Sequence, residues 1–362
     1  MIVDGAILDL DGARPGYVRF HRGVVVEVGQ RGTESLRRGE RRIRGIVVPA
    51  PVNSHTHLGD SVSTREPPSV PVARLVQAPD GYKFRLLAES SDTEKSAAIR
   101  RALHRMRRSG VAAVIDFREE GRRGVELLRR ASRGSGVRTV ILGRPLARPV
   151  DARELDRLLE VADGVGLSSA RDESEPTRRT IARACRARGK RFALHASEAV
   201  RESPESYLDP RPDLLVHLAR ASPEDLAAVR EARVAVAVCP RSNALFGRQP
   251  DLATMERLGI SVLLGTDNVM LQAPSLWREL EFAYTATRLT RRPVSAAFVA
   301  RSALVEPWRW LGTPEAARIA PGTPAVPLIL RLPPDDPAYQ VVTRTTEHLI
   351  ARPGPAPRRG HR

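Results

Sequence analysis

His55-Thr56-His57 ends an apolar, β-prone stretch that begins at Val47. In an extended segment, residues i and i+2 project to the same side, so both imidazoles reach one point beyond the end of a strand. The pattern recurs along the chain. His195 closes the apolar run 192–195, His217 closes 214–217, and Asp267 follows 260–264. Such a chain calls for a fold in which strand ends far apart in sequence converge.

Eight short apolar runs occupy 46–52, 111–117, 137–142, 164–167, 192–195, 214–217, 234–238 and 260–264. Most intervals between them have helical periodicity, as in 94–107, 124–133, 153–161, 177–188 and 223–232. Ser91-Asp92 and Ser222-Pro223-Glu224 are helix-start signals. Gly110, Gly136, Gly189 and Gly259 fall just past helices, where a C-terminal cap wants positive φ. Eight β/α units predict an α/β protein, a TIM (β/α)8 barrel over residues 47–318. A doubly wound sheet is the alternative, but no GxGxxG follows the first strand. Residues 6–8, 17–20 and 24–28 read as strands between Gly and Asp turns, and 319–325, 326–332 and 341–343 read as strands again. Together 1–46 and 319–351 are expected to form a small discontinuous β-sandwich domain built from both termini. Residues 352–362, rich in Pro, Gly and Arg, are expected to be a disordered tail. The insertion 60–90 belongs to the active-site face of such a barrel.

Composition narrows the function classes. With 362 residues, 41% of them hydrophobic, the chain has enough for a large core. No window approaches 18 consecutive apolar residues, so no membrane span is expected. Met1 leads straight into Ile2-Val3-Asp4-Gly5, without the marks of a secretory signal. Cys185 and Cys239 are the two cysteines, which argues against a disulfide framework and for a reducing, cytoplasmic setting. The net charge is +17, but aromatics make up 4% and are not interleaved with the arginine runs. Without a stacking platform, no nucleic-acid partner is expected. A small-molecule substrate is, and homo-oligomerisation stays open.

His55, His57, His195, His217 and Asp267 therefore gather at predicted strand ends. Three imidazoles and a carboxylate suit a divalent transition metal with one position open to water. The remaining histidines, His21, His104, His348 and His361, lie in the small domain, on a basic helix or in the tail, and read as structural or solvated.

The segments Val52-Asn53-Ser54-His55-Thr56-His57-Leu58, Leu194-His195-Ala196-Ser197-Glu198, Leu215-Val216-His217, Cys239-Pro240-Arg241-Ser242-Asn243 and Leu264-Gly265-Thr266-Asp267-Asn268 occur in this order with barrel-like spacing. In them the chain resembles the amidohydrolase superfamily, in its cytosine deaminase-like and chlorohydrolase-like branch, and archaeal members of that branch especially. The resemblance covers nearly the whole chain.

That resemblance implies one divalent metal, zinc before iron, held by His55, His57, His195 and Asp267. It makes Glu198 the proton shuttle and His217 the residue that orients the attacking water, while Asp267 takes that water's proton. Elementary chemistry agrees. A metal lowers the pKa of its water toward ~7, and a carboxylate a turn beyond His195 can protonate a ring nitrogen and then the leaving amine. Two-metal relatives carry a carboxylated lysine at the end of strand four. Here that stretch, 164–170, has no lysine, and Lys190 precedes strand five at the wrong end of the barrel. Asn243 and Phe246 after strand seven, with Asn268 after strand eight, are expected to face the substrate.

Strand three ends in Gly143-Arg144-Pro145, where the resemblance to cytosine deaminase suggests a glutamine. Arg144 is instead suited to a carboxylate or phosphate on the substrate. Glu119 and Glu120 are its available protein partners; if they are engaged elsewhere, the substrate should carry the anion. The expected reaction is hydrolytic deamination of an amino-substituted N-heterocycle, a purine, a pyrimidine or a relative of these. The alternatives are cyclic amide or chloro-heterocycle hydrolysis on the same scaffold, and a non-catalytic amidohydrolase-like binding protein.

Overall fold

The computed structural model describes residues 1–76, 80–324 and 327–353. The chain divides into two compact units, one of Met1–Val52, Arg108–Ala112 and Ser295–Arg362, the other of Asn53–Arg107 and Ala113–Val294.

The first unit is built on β1 (Ile2–Asp9), β2 (Gly12–His21), β3 (Val24–Gly29), β4 (Arg42–Pro49), β14 (Pro327–Leu330) and β15 (Ile350–Ala351). They form one sheet in the order β15-β14-β4-β1-β2-β3. Its apolar face gathers Val3, Ile7, Val18, Phe20 and Val47 with Ile329 from β14 and Ile319. Strands from both ends of the chain therefore share one core. Two expected strands are absent. Residues 341–343 lie inside the helix Pro337–Arg344. Pro337 at its first turn fits a helix start, and Ala338, Val341 and Val342 bury one face at i, i+3 and i+4. Residues 319–324 are bends and turns around Pro321-Gly322, with Gly322 at φ 76°. Ala325, Val326 and tail residues 354–362 lie outside the described residues.

The second unit carries β5 (Val52–His57), β6 (Ala113–Arg118), β7 (Arg138–Gly143), β8 (Gly164–Leu167), β9 (Arg191–Ala196), β10 (Leu214–His217), β11 (Ala235–Val238), β12 (Val262–Leu264) and β13 (Asp267–Asn268). They form a nine-stranded sheet in the order β12-β11-β10-β9-β8-β7-β6-β5-β13. β12 falls in the last predicted run, 260–264, and β13 follows it across Gly265-Thr266. β12 pairs with β11, while β13 pairs in parallel with β5, Asp267 opposite Thr56 and Asn268 opposite His57. The curled parallel sheet so returns to its first strand, which fits a TIM-like barrel.

Helices alternate with these strands for the reasons visible in the sequence. Ser222 caps Pro223–Glu231 with a full capping box, and Asp151, Ser174 and Asp251 cap their helices with side-chain oxygens. Leu155, Leu158 and Leu159 show the buried stripe of the helix Ala152–Val161. Gly136, Gly189 and Gly259 take positive φ just past helices. The insertion after β5 contains the short helices Val72–Val76 and Tyr82–Glu89. Among the described residues no helix is long and apolar enough to cross a membrane.

Gly265 sets how closely the last strand approaches the first. A Cβ there would stand 2.5 Å from His55 Cβ and 2.6 Å from its backbone nitrogen. Gly265→Ala should force strand eight off strand one and cost about 1–3 kcal/mol, as overpacking does. Denaturant unfolding measures this, and an unchanged midpoint would contradict the close approach.

Candidate metal centre

His55 and His57 alternate with Thr56 along β5 and share one side of it. His195 ends one residue short of the end of β9, His217 ends β10, and Asp267 opens β13. All five are buried. His55 Nε2 lies 3.2 Å from His195 Nε2 and 3.2 Å from Asp267 Oδ1, and His57 Nε2 lies 3.5 Å from the same carboxylate oxygen. The ligand atoms of His55, His195 and His217 fall within 4.8 Å of one another, as do those of His55, His57 and Asp267. Phe117 walls the cluster, its ring 4.5 Å from that of His55 and 5.0 Å from that of His195.

The backbone pays for this convergence in strain. Ser197, His217, Leu218 and Asp267 all have positive φ, at 45°, 75°, 50° and 60°. Each such residue costs of order 1–3 kcal/mol and persists where the surroundings over-determine it, typically at functional sites.

The second layer fixes which ring nitrogen faces inward. His195 Nδ1 lies 2.8 Å from Leu167 O, an acceptor, so Nδ1 carries the proton and Nε2 is free. His57 Nδ1 lies 2.9 Å from Phe117 O and 2.8 Å from Glu119 Oε1, again both acceptors. His217 Nδ1 meets the side-chain amide of Asn243 at 3.2 Å, and its Nε2 lies 3.7 Å from Glu198 Oε1. Ser242 donates its hydroxyl to Asp267 Oδ2.

The electrostatics suit a metal. Burial pushes His55 down to about 3, and burial with the neighbouring imidazoles holds His195 well below the usual histidine range. Burial alone would raise Asp267, but the His55 hydrogen bond and the His217 and His57 rings outweigh it and hold the carboxyl well below its usual range. Neutral imidazoles and an ionised carboxylate are the forms that ligate a divalent cation. At His57, burial is opposed and outweighed by Glu119 and Asp267, which favour a proton on the ring. A metal at Nε2 competes with that proton. The donor set thus fits a transition metal of borderline softness such as zinc.

A cavity of about 430 Å³ opens onto the cluster. His57, His195, His217, Glu198, Asp267 and Asn268 line it, while His55 is fully buried and is not among the lining residues. Glu198 sits in a bend after β9. Arg144 lines the cavity with Arg148, its guanidinium 5.5 Å from the ring of Phe84. Asn243 is fully buried behind His217 instead of on the cavity wall, because Pro240 starts the helix Pro240–Leu245 and turns Ser242 and Asn243 inward. Phe246 is half-buried beside Arg248 and is also off the cavity wall. Lys190 donates to Ala162 O at 2.6 Å, away from the cavity.

Several supporting residues carry no sequence signal of their own. Lys83, from the insertion, reaches Glu119 Oε1 at 2.5 Å. Glu120 pairs with Lys95 and Arg118. Asp60 accepts from Asn268 Nδ2 at 2.7 Å and fixes its orientation. Glu279 accepts the Arg241 backbone N–H at 2.7 Å and anchors the start of the helix that carries Ser242 and Asn243.

Residues 46–348 match the amidohydrolase family. A protein of Methanothermobacter thermautotrophicus, provisionally named an aminohydrolase, is 35% identical over 326 residues, covering 84% of each chain. Among solved structures, a zinc-bound adenosine deaminase from Xanthomonas campestris superposes with a TM-score of 0.79 at 16% identity, covering 98% of this chain and 92% of that one. The zinc complex of atrazine chlorohydrolase from Arthrobacter aurescens gives a TM-score of 0.77 at 16% identity, covering 98% and 96%. At such identities the two structures show the shared fold. The chain belongs to the amidohydrolase family.

The anchor at Glu279 has a pH signature. Burial pushes this carboxyl from 4.5 up to about 8, against the pull of Arg241. Between those two pH values the unfolded chain has lost a proton that the folded chain keeps, so this group's contribution to stability falls as pH rises through the window. Glu279→Gln should flatten that decline in urea unfolding followed from pH 4.5 to 8. Equal slopes in variant and wild type would contradict it.

Proposed function

We propose that this member of the amidohydrolase family hydrolytically deaminates an amino-substituted N-heterocycle, using one divalent metal held by His55, His57, His195 and Asp267. The observation that carries the proposal is the placement of Glu198, 3.7 Å from His217 Nε2, on the same cavity wall as His57, His195 and Asp267. A divalent metal there supplies Lewis-acid chemistry that makes water nucleophilic near neutral pH.

The protein's own residues then divide the proton transfers. Asp267, held ionised and oriented by Ser242, accepts a proton from the attacking water. His217, kept in register by Asn243, orients that water toward the ring carbon bearing the amino group. Glu198 relays the attacking water's two protons, one to the adjacent ring nitrogen and the other, taken up by Asp267 and passed on, to the leaving amine. The C–N bond breaks as the new C–O bond is completed, and ammonia and the oxo-heterocycle leave.

The supporting observations are a complete donor set, a shuttle carboxylate at the cavity and a fold shared with a deaminase and a chlorohydrolase. Cyclic-amide or chloro-heterocycle hydrolysis would use the same wall but release no ammonia. A non-catalytic binding protein has no need of the ligands, the carboxylate and the strained backbone together. Arg144 and Arg148 line the cavity, and guanidinium groups recognise a carboxylate or phosphate bidentately, so an anionic group on the substrate fits this lining.

Ammonia release across a set of amino-heterocycles tests the reaction. On the substrate so found, Glu198→Gln should keep its metal and lose turnover by a factor on the order of 10² or more, as loss of a general acid–base does. His195→Ala should lose the metal as well. Near-native turnover of Glu198→Gln would remove Glu198 from the mechanism. Arg144→Met should raise KM for an anionic substrate and spare a neutral analogue; equal effects on both would reject the anion-binding role.

A further inference from the structure

Glu119 is a buried carboxylate that the proton transfers above do not use. It follows β6, and its side chain reaches both His57 and the covering insertion. Oε1 lies 2.8 Å from His57 Nδ1 and 2.5 Å from Lys83 Nζ, while Arg118 Nη1 stands 3.7 Å from Oε2. Glu119 and Lys83 are each 3% exposed, and Arg118 is fully buried. Gly59 makes room for that arginine, since a Cβ there would stand 1.5 Å from Arg118 Nη1.

We propose that Glu119 is a positioning residue for the metal centre, taking the Nδ1–H of His57 so that Nε2 is turned toward the metal, with Lys83 as its fixed counter-charge. The reasoning separates orientation from charge. Phe117 O, 2.9 Å from Nδ1, can orient the ring by itself. A carbonyl adds little electron density, whereas a carboxylate makes the imidazole a stronger base and a better ligand. A lone buried carboxylate is costly unless paired and hydrogen-bonded. Lys83 supplies the pair from the helix Tyr82–Glu89, and it also lines the cavity. The insertion over the site is thus joined to a metal ligand through two ionic contacts. Glu120 makes a useful contrast. It pairs with Lys95 and with the same Arg118, but it has no contact with His57.

The inference rests on His57 being a metal ligand. Its test is zinc affinity of the purified, metal-stripped full chain, measured by competition with a chromophoric chelator, without substrate. Glu119→Gln should weaken zinc binding about 10- to 100-fold, the usual cost of removing a second-layer partner of a ligating histidine. Glu119→Asp should recover part of the loss. Glu120→Gln should leave zinc affinity unchanged, and thermal unfolding of the metal-free variants should show each has lost an ion pair but still folds. Wild-type zinc affinity in Glu119→Gln, or an equal loss in Glu120→Gln, overturns the positioning role. Failure of the wild type itself to take up zinc overturns the reading of the centre, and this inference with it.

Discussion

The return of the last strand onto the first is the contact on which the site depends. Pairing of Asp267 with Thr56 and Asn268 with His57 places one carboxylate against both imidazoles of the His55-Thr56-His57 motif. The junction is tied by side chains as well as by the ladder. Asn53 donates to Thr266 Oγ1 at 2.8 Å and accepts from Thr266 N at 3.0 Å. A buried asparagine satisfied in this way specifies register, because a slip would leave both polar groups unpaired. Gly265 then lets the two strands meet at a distance no side chain would permit.

Once closed, the sheet creates an electrostatic problem of its own making. It packs four buried imidazoles close together, and burial disfavours a proton on His55 and His195. At Asp267 the same burial works against the ionised form, yet the facing imidazoles win and the carboxylate stays charged. The result is that His195 and His57 aim Nε2 lone pairs inward, their outer nitrogens held by Leu167 O and Phe117 O, while Asn243 donates to His217 Nδ1. A divalent cation relieves the mutual repulsion of those lone pairs, so the cluster makes chemical sense as a metal site.

Much of this is legible from residues in order. Each expected ligand ends or follows an apolar run, a local signal that survives in one sequence, and the helix caps and glycines mark the intervals. The layer behind the ligands is not legible. Lys83 lies in an insertion without periodicity, and Glu279 reaches Arg241 from a different helix. Asn243 sits beside the right motif, but a helix begun by Pro240 turns it behind His217. The strand expected at 341–343 illustrates the reverse case. Its residues have β propensity, but the preceding Pro337 and a buried face at helical spacing win. Glu119 and Glu120 stand out in sequence as an unusual charged pair, yet their partners, Lys83 and Lys95, become clear when the insertion and the first barrel helix are in place.

The central claim is that these histidines and Asp267 are one metal-binding set, and X-ray absorption at the zinc edge of reconstituted protein addresses it most directly. The account predicts one zinc per chain, with nitrogen and oxygen neighbours at about 2.0–2.2 Å and the outer-shell scattering of three imidazoles. Sulfur in the first shell, a second firmly bound zinc with metal–metal scattering, or fewer imidazoles than three would contradict it.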